Sequence, residues 1–253
     1  MCCFKTFSVQ DPNAPVPEKK KQPNWKVKPL IDWMNFLFKM IWLLGVAFSI
    51  DKMTIGFQGH HVDKLRITYK NEGDGFQADA LCQEGFTFQV FMRNDPAPIK
   101  YLNQGLSPLH SRVMSLFDCL QDCHHHCAMD NLYNSANFCR AAVNHPKQVL
   151  CHGVTRKGGR GIPPSVVQEE ATTKETMLQK RGTVKAAVLE GDDNCKNLVA
   201  FSVYDTKPVH YLSMVCTCLK WIQKEKVNHC LFISFFYKVI SLSCFYFQGR
   251  VQC

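Results

Sequence analysis

A carboxylate stands in the middle of the most apolar stretch of this chain. Residues 30–57 read LIDWMNFLFKMIWLLGVAFSIDKMTIGF, and Asp51 falls among Val46, Ala47, Phe48, Ile50, Met53 and Ile55. An ionised side chain in such a run is costly unless it is paired or metal-bound. A membrane span does not resolve the conflict, because Asp32, Asn35, Lys39 and Gly45 interrupt the apolar run. A helix to about Trp42, followed by a buried strand from Gly45 to Phe57 with Asp51 in its middle, fits the pattern better.

The segments that follow spell an α/β domain. RITYK is a short alternating run; then FQADALCQ and FTFQVFM flank Glu84-Gly85, which predicts a β-hairpin. SPLHSRVMSLFDCLQD places Val113, Leu116, Phe117 and Leu120 at helical spacing, with Ser107 before Pro108 as its cap. HHHCAMDN reads as a short strand ending on Asp130. NSANFCRAAVNHP reads as a helix stopped near Pro146, and QVLCHGVTR as a strand. GTVKAAVLE, LVAFSVYD and PVHYLSMVC predict three closing strands, a β-rich appendage to the α/β part.

Composition narrows the class. Hydrophobic residues make up 46% of the 253 and charged ones 20%, enough apolar material for a buried core. The 30 Lys and Arg against 21 Asp and Glu give a formal charge of +9, which suits nucleic acid as a partner. Residues 1–29 are polar and proline-containing, with lysines at 19, 20, 21, 26 and 28, and read as a basic arm or linker. No apolar segment follows a basic start, so no secretory signal is visible. The 14 cysteines lack paired C-x2-C knuckles and read as reduced, mostly buried thiols in a cytosolic or nuclear protein.

Asp51 and Asp130 occupy equivalent places, each in or at the end of a strand after apolar residues. If those strands are neighbours in one sheet, the carboxylates meet at one edge, and a divalent cation relieves their repulsion. Such a pair can hold Mg2+ or Mn2+ for phosphodiester cleavage; the plainer reading is two aspartates that cap turns. Cys123, His124, His125, His126 and Cys127 also resemble ligands. On a strand, however, alternate residues face opposite ways and the five do not converge without a bend. A histidine-rich strand with a half-exposed face is expected there.

Four blocks, in order from about Leu30 to Cys218, resemble the piggyBac-type DDE transposases. SIDKMTIGFQG resembles the first signature, an apolar strand with Ile-Asp-Glu, then Met-x-x-Phe-x-Gly. AMDNLYNSANFCRAAVNHP resembles the second, CHGVTRKGGRGIPPSV the third, and VAFSVYDTKPVHYLSMVC the paired strands around a Lys-Pro-Val turn. The resemblance implies a ribonuclease H-like mixed sheet with flanking helices, interrupted by a β-rich insertion and incomplete at the C-terminus. Its parts would be a basic arm (1–29), a partial DDE domain (30–161), the insertion (162–218) and a divergent apolar tail (219–253). It also implies metal-dependent DNA cleavage and strand transfer at TTAA targets, by three aspartates and two Mg2+ or Mn2+ ions. Asp51 would be the first ligand and Asp130 the second. DNA is the implied partner, the nucleus the implied location, and a homodimer a further expectation.

Two departures qualify the implied activity. Lys52 stands where the family usually has Glu, although neighbouring strand residues face opposite sides. Beyond Cys216 the only acidic residue is Glu225, outside any block like the family's third-aspartate segment. A catalytically inactive, transposase-derived domain is therefore expected, with a domesticated non-enzymatic DNA-binding or interaction protein as the alternative. The family's cysteine-rich C-terminal zinc domain also has no counterpart in the matched region. Leu231 to Phe247 is apolar and aromatic, broken by Lys238. It is slightly short for a membrane anchor; a terminal strand pair is a second reading. Sequence read past a splice junction or frameshift is the third, favoured by the abrupt loss of the family pattern.

Overall fold

The structure, a computed structural model, describes residues 24–25, 27–57, 59–61, 64–66, 74–159, 161–189 and 198–215. Most of the basic arm (1–23 and 26), most of RITYK and the tail from residue 216 lie outside the described residues. The chain divides into two compact units: Met1–Leu44 with Ile50–Cys119, and Gly45–Ser49 with Leu120–Cys253.

The first unit is built on a hairpin. Strands β2 (Gly75–Gln83) and β3 (Phe86–Met92) pair antiparallel, with Gln83 opposite Phe86. Glu84 and Gly85 both have positive φ, 49° and 85°, as a two-residue turn that follows strand twist requires. Helix α1 (Lys28–Ile41) starts with Pro29 in its first turn, where a missing N–H costs nothing. Its most buried residue is polar: the Asn35 amide donates to the Val90 carbonyl (3.0 Å) and accepts from the Val90 N–H (2.9 Å). Asn35 thus pairs with β3 as another strand would. A short α2 (Ile99–Leu102) leads to α3 (Pro108–Phe117), where the Ser107 hydroxyl accepts from His110 N–H at 3.3 Å. The cap falls on the expected residue. Val113, Leu116 and Phe117 are fully buried, but the helix stops at Phe117, earlier than the apolar spacing through Leu120 predicts.

The second unit contains the parallel pair β4 (His126–Met129) and β5 (Leu150–Thr155), in register from His126–Leu150 to Met129–Gly153. Parallel strands need a crossover, and α4 (Ala136–Val143) supplies it, capped by the Ser135 hydroxyl accepting from Phe138 N–H at 3.3 Å. Tyr133, Phe138, Cys139, Ala142, Val149 and Cys151 are fully buried around it. Strands β6 (Val184–Val188), β7 (Val199–Tyr204) and β8 (Pro208–Ser213) form an antiparallel meander, and β8 pairs antiparallel with β5. The three strands expected as an appendage therefore continue the sheet. Phe201 stacks on Tyr211 with ring centroids 4.9 Å apart, and Val199 joins them in a small core. A helix not expected from the sequence, α5 (Lys174–Lys180), precedes β6. Before it, Gln168 is buried and its amide donates to Thr183 O, Ser202 O and Ser202 Oγ.

Strand β1 (Ala47–Gly56) takes part in both units, its first residues in one and the rest in the other. The mixed sheet has eight strands in the order β3-β2-β1-β4-β5-β8-β7-β6. No helix among the described residues is long and apolar enough to cross a membrane; residues 231–247 lie outside that description.

Candidate functional site

Each of the two aspartates is positioned by the local logic of its own strand. Asp51 is the fifth residue of β1 and is half-buried after the buried run Phe48, Ser49 and Ile50. Its Oδ1 accepts from the backbone N–H of Lys52 at 2.7 Å. Lys52 is itself half-buried.

Asp130 follows β4 directly and is exposed, whereas Cys127, Ala128 and Met129 before it are buried. A strand that emerges from the core on a carboxylate gives that group access to solvent and ligands without the desolvation cost of burial. Its Oδ1 accepts from the Asn131 N–H at 2.6 Å, and its carbonyl accepts from Tyr133 N–H at 3.0 Å and Asn134 N–H at 3.1 Å. The carbonyl bonds are those of a turn, so the capping geometry of the plainer reading is present. Gly153, opposite Met129 on β5, allows the approach that sets this strand end. A Cβ at its φ of 153° would lie 1.9 Å from the Met129 carbonyl oxygen.

Behind the strand end lie buried polar groups that stay uncharged near neutral pH. His152 on β5 is buried; burial first, and then the nearby His126, push its imidazole down to about 4. Cys139 and Cys151 are fully buried as well. Hydrogen bonding to Cys151 first, then burial, raises the Cys139 thiol well above its usual range, so it stays protonated and inert. None of the described cysteines, 82, 119, 123, 127, 139 and 151, forms a disulfide.

The histidine run does not converge. His124 takes a positive φ of 65° and is exposed, as is Cys123; His125 is buried and its Nδ1 lies 3.0 Å from the Gly45 carbonyl. Cys127 is buried on the strand. Among the described residues no group of three or more His, Cys, Asp or Glu side chains is arranged to hold a metal ion. Carboxylate oxygens are the right donor type for Mg2+ or Mn2+, and Asp51 and Asp130 supply that type. They do not make up a three-ligand set, so no two-metal step is assigned to them.

A third strand aspartate escaped the sequence reading. Asp79, in FQADALCQ, is fully buried in the first unit and is matched by two arginines. Arg93 Nε donates to Oδ1 at 2.7 Å and Arg112 Nε to Oδ2 at 3.4 Å. Its apolar neighbours gave the same signal as those of Asp51. Only folding brings up arginines 14 and 33 residues away to show that this carboxylate is structural.

The family profile described as Transposase IS4 matches residues 3–231. The chain belongs to that transposase family. Among solved structures, the piggyBac transposase in its synaptic complex with hairpin DNA, studied by cryo-electron microscopy, shares the fold. The TM-score is 0.66 at 16% sequence identity, over 89% of this chain and 44% of that one. The chain thus shares the fold of the piggyBac transposase and spans less than half of its length. No curated protein sequence matches it. Transposases of the DDE family use divalent metals, in accord with the carboxylate donors.

Proposed function

We propose that this chain is a transposase-derived DNA-acting domain that does not itself cleave DNA. The observation that carries the reading is the family match over residues 3–231, with Asp51 and Asp130 standing in their motif blocks. The inactivity is supported by the composition of residues 217–253, whose one acidic residue is Glu225. Hydrolysis and strand transfer with two metals need a third carboxylate to fix the second ion. Asp51 and Asp130 each carry the oxygen donors that a Mg2+ or Mn2+ ion would take, and an ion held at either would supply charge neutralisation near DNA phosphates. Residues 1–29 serve as a basic arm, 30–161 as the partial DDE domain, 162–218 as the β-rich insertion and 219–253 as a divergent tail. A nuclear location and a homodimer belong to the same reading and follow from action on DNA.

The test is a nicking assay on hairpin and linear transposon-end DNA with Mg2+ or Mn2+. The expected outcome is no cleavage above that of the Asp130→Ala variant. Robust cleavage abolished by Asp130→Ala would overturn the inactivity. The net charge of +9 favours a second reading, a non-enzymatic DNA-binding protein. That reading requires DNA affinity indifferent to Asp51→Ala and Asp130→Ala, whereas metal-assisted binding weakens in both variants.

A further inference from the structure

The turn that carries Asp130 is tied into the sheet by one side chain. Asn134 is buried, and its Nδ2 donates to the Gly153 carbonyl at 2.7 Å and to the Leu212 carbonyl at 3.2 Å. Its Oδ1 accepts from the Cys139 thiol at 3.3 Å. One amide thereby joins β5, β8 and α4, and uses both of its N–H protons and an acceptor lone pair. Its backbone N–H donates to the Asp130 carbonyl at 3.1 Å, beside the bond from Tyr133. The peptide carbonyl of Asn134 in turn accepts from the Thr155 hydroxyl at 3.4 Å.

We propose that Asn134 is the positioning residue for Asp130. An exposed carboxylate at a strand end is free to wander with its turn unless the turn is fixed from below. Asn134 fixes it to two strands, and Gly153 serves both the close approach to Met129 and the bond from Asn134. The chemistry of the position is narrow. Serine and threonine bring one donor, aspartate brings none, and glutamine is a methylene too long for the same two carbonyls. No other common side chain of this length offers two donors and an acceptor. The anchoring is independent of any metal; its functional meaning rests on the reading of Asp130 as a ligand.

The experiment uses the full chain, labelled for amide NMR, with Mn2+ as the probe. Asn134→Asp keeps the shape and places a carboxylate against two carbonyls. The expected results are a moved Asn131 amide signal, which reads the bond to Asp130 Oδ1, and faster exchange of the Tyr133 and Asn134-position amides, by about tenfold. Mn2+ affinity read from broadening of the Asn131 signal falls about tenfold or more, as for other residues that orient a ligand. Gln168→Ala, an equally buried amide in the same unit, lowers stability without moving the Asn131 signal. If Asn134→Asp leaves the Asn131 signal and the exchange rates unchanged, the proposal is overturned. If Mn2+ broadens nothing in the unsubstituted protein, the ligand reading of Asp130 falls, and the shift and exchange data alone decide the positioning role. Should Asn134→Asp fail to fold, Cys139→Ala removes a single bond to the amide. It must move the Asn131 signal and Cys139→Ser must restore it; no movement in Cys139→Ala overturns the proposal.

Discussion

His152 shows how a single residue ties the fold of the second unit to pH. Burial, then the nearby His126, hold its imidazole at about 4, against an ordinary value of 6.5. Between those values the unfolded chain binds a proton that the folded chain refuses, so stability is fully present above about pH 6.5 and is lost as pH falls toward 4. The loss from this one group is about 3 kcal/mol. Chemical denaturation from pH 7.5 to 4 is expected to show it, and His152→Gln to flatten that part of the profile. An unchanged slope in His152→Gln would assign the effect to other groups.

Elements here are stabilised by how their edges are closed. A strand at a sheet edge exposes unpaired N–H and C=O groups and invites pairing with other chains. β3 ends the strand order, and Asn35 of α1 meets the Val90 N–H and carbonyl with its side-chain amide. Asn35→Ala removes both bonds at once, with an expected loss of about 1–3 kcal/mol in the first unit. Equilibrium unfolding followed by fluorescence measures it, and light scattering is expected to report increased self-association. A variant as stable and monodisperse as the unsubstituted chain would show that α1 does not protect this edge. The charged counterpart is Asp79, whose two arginines tie β2 to the turn after β3 and to α3. The α5 helix was hard to foresee, because its TTKETMLQKR segment has few apolar residues and buries none. Such a helix rests on its Thr173 cap and flanking charges rather than on a core stripe.

At the scale of the whole molecule, the charge excess makes the DNA reading testable without catalysis. Each phosphate neutralised releases counterions, and contact with six phosphates weakens affinity about a thousandfold between roughly 50 and 200 mM salt. Fluorescence anisotropy with duplex DNA is expected to show this steep, linear log–log dependence. A flat response would remove the electrostatic contribution of the excess Lys and Arg.

The sequence alone determined the kinds and order of most elements. Alternation, helical spacing and turn residues are local signals: Glu84-Gly85 marks its turn, and Ser107 and Ser135 lie where helices must begin. It also carried the family, because motif blocks around Asp51 and Asp130 are contiguous in the chain. The roles of the charged and polar residues inside were decided only by tertiary structure. Asp51 and Asp79 look alike in apolar runs, yet Asp79 is spent on two arginines distant in sequence. Asn134 reads as the opening residue of a helical segment until β5 and β8 present their carbonyls to it. Burial and hydrogen-bond partners depend on residues far apart in the chain, and no local pattern encodes which of them will meet.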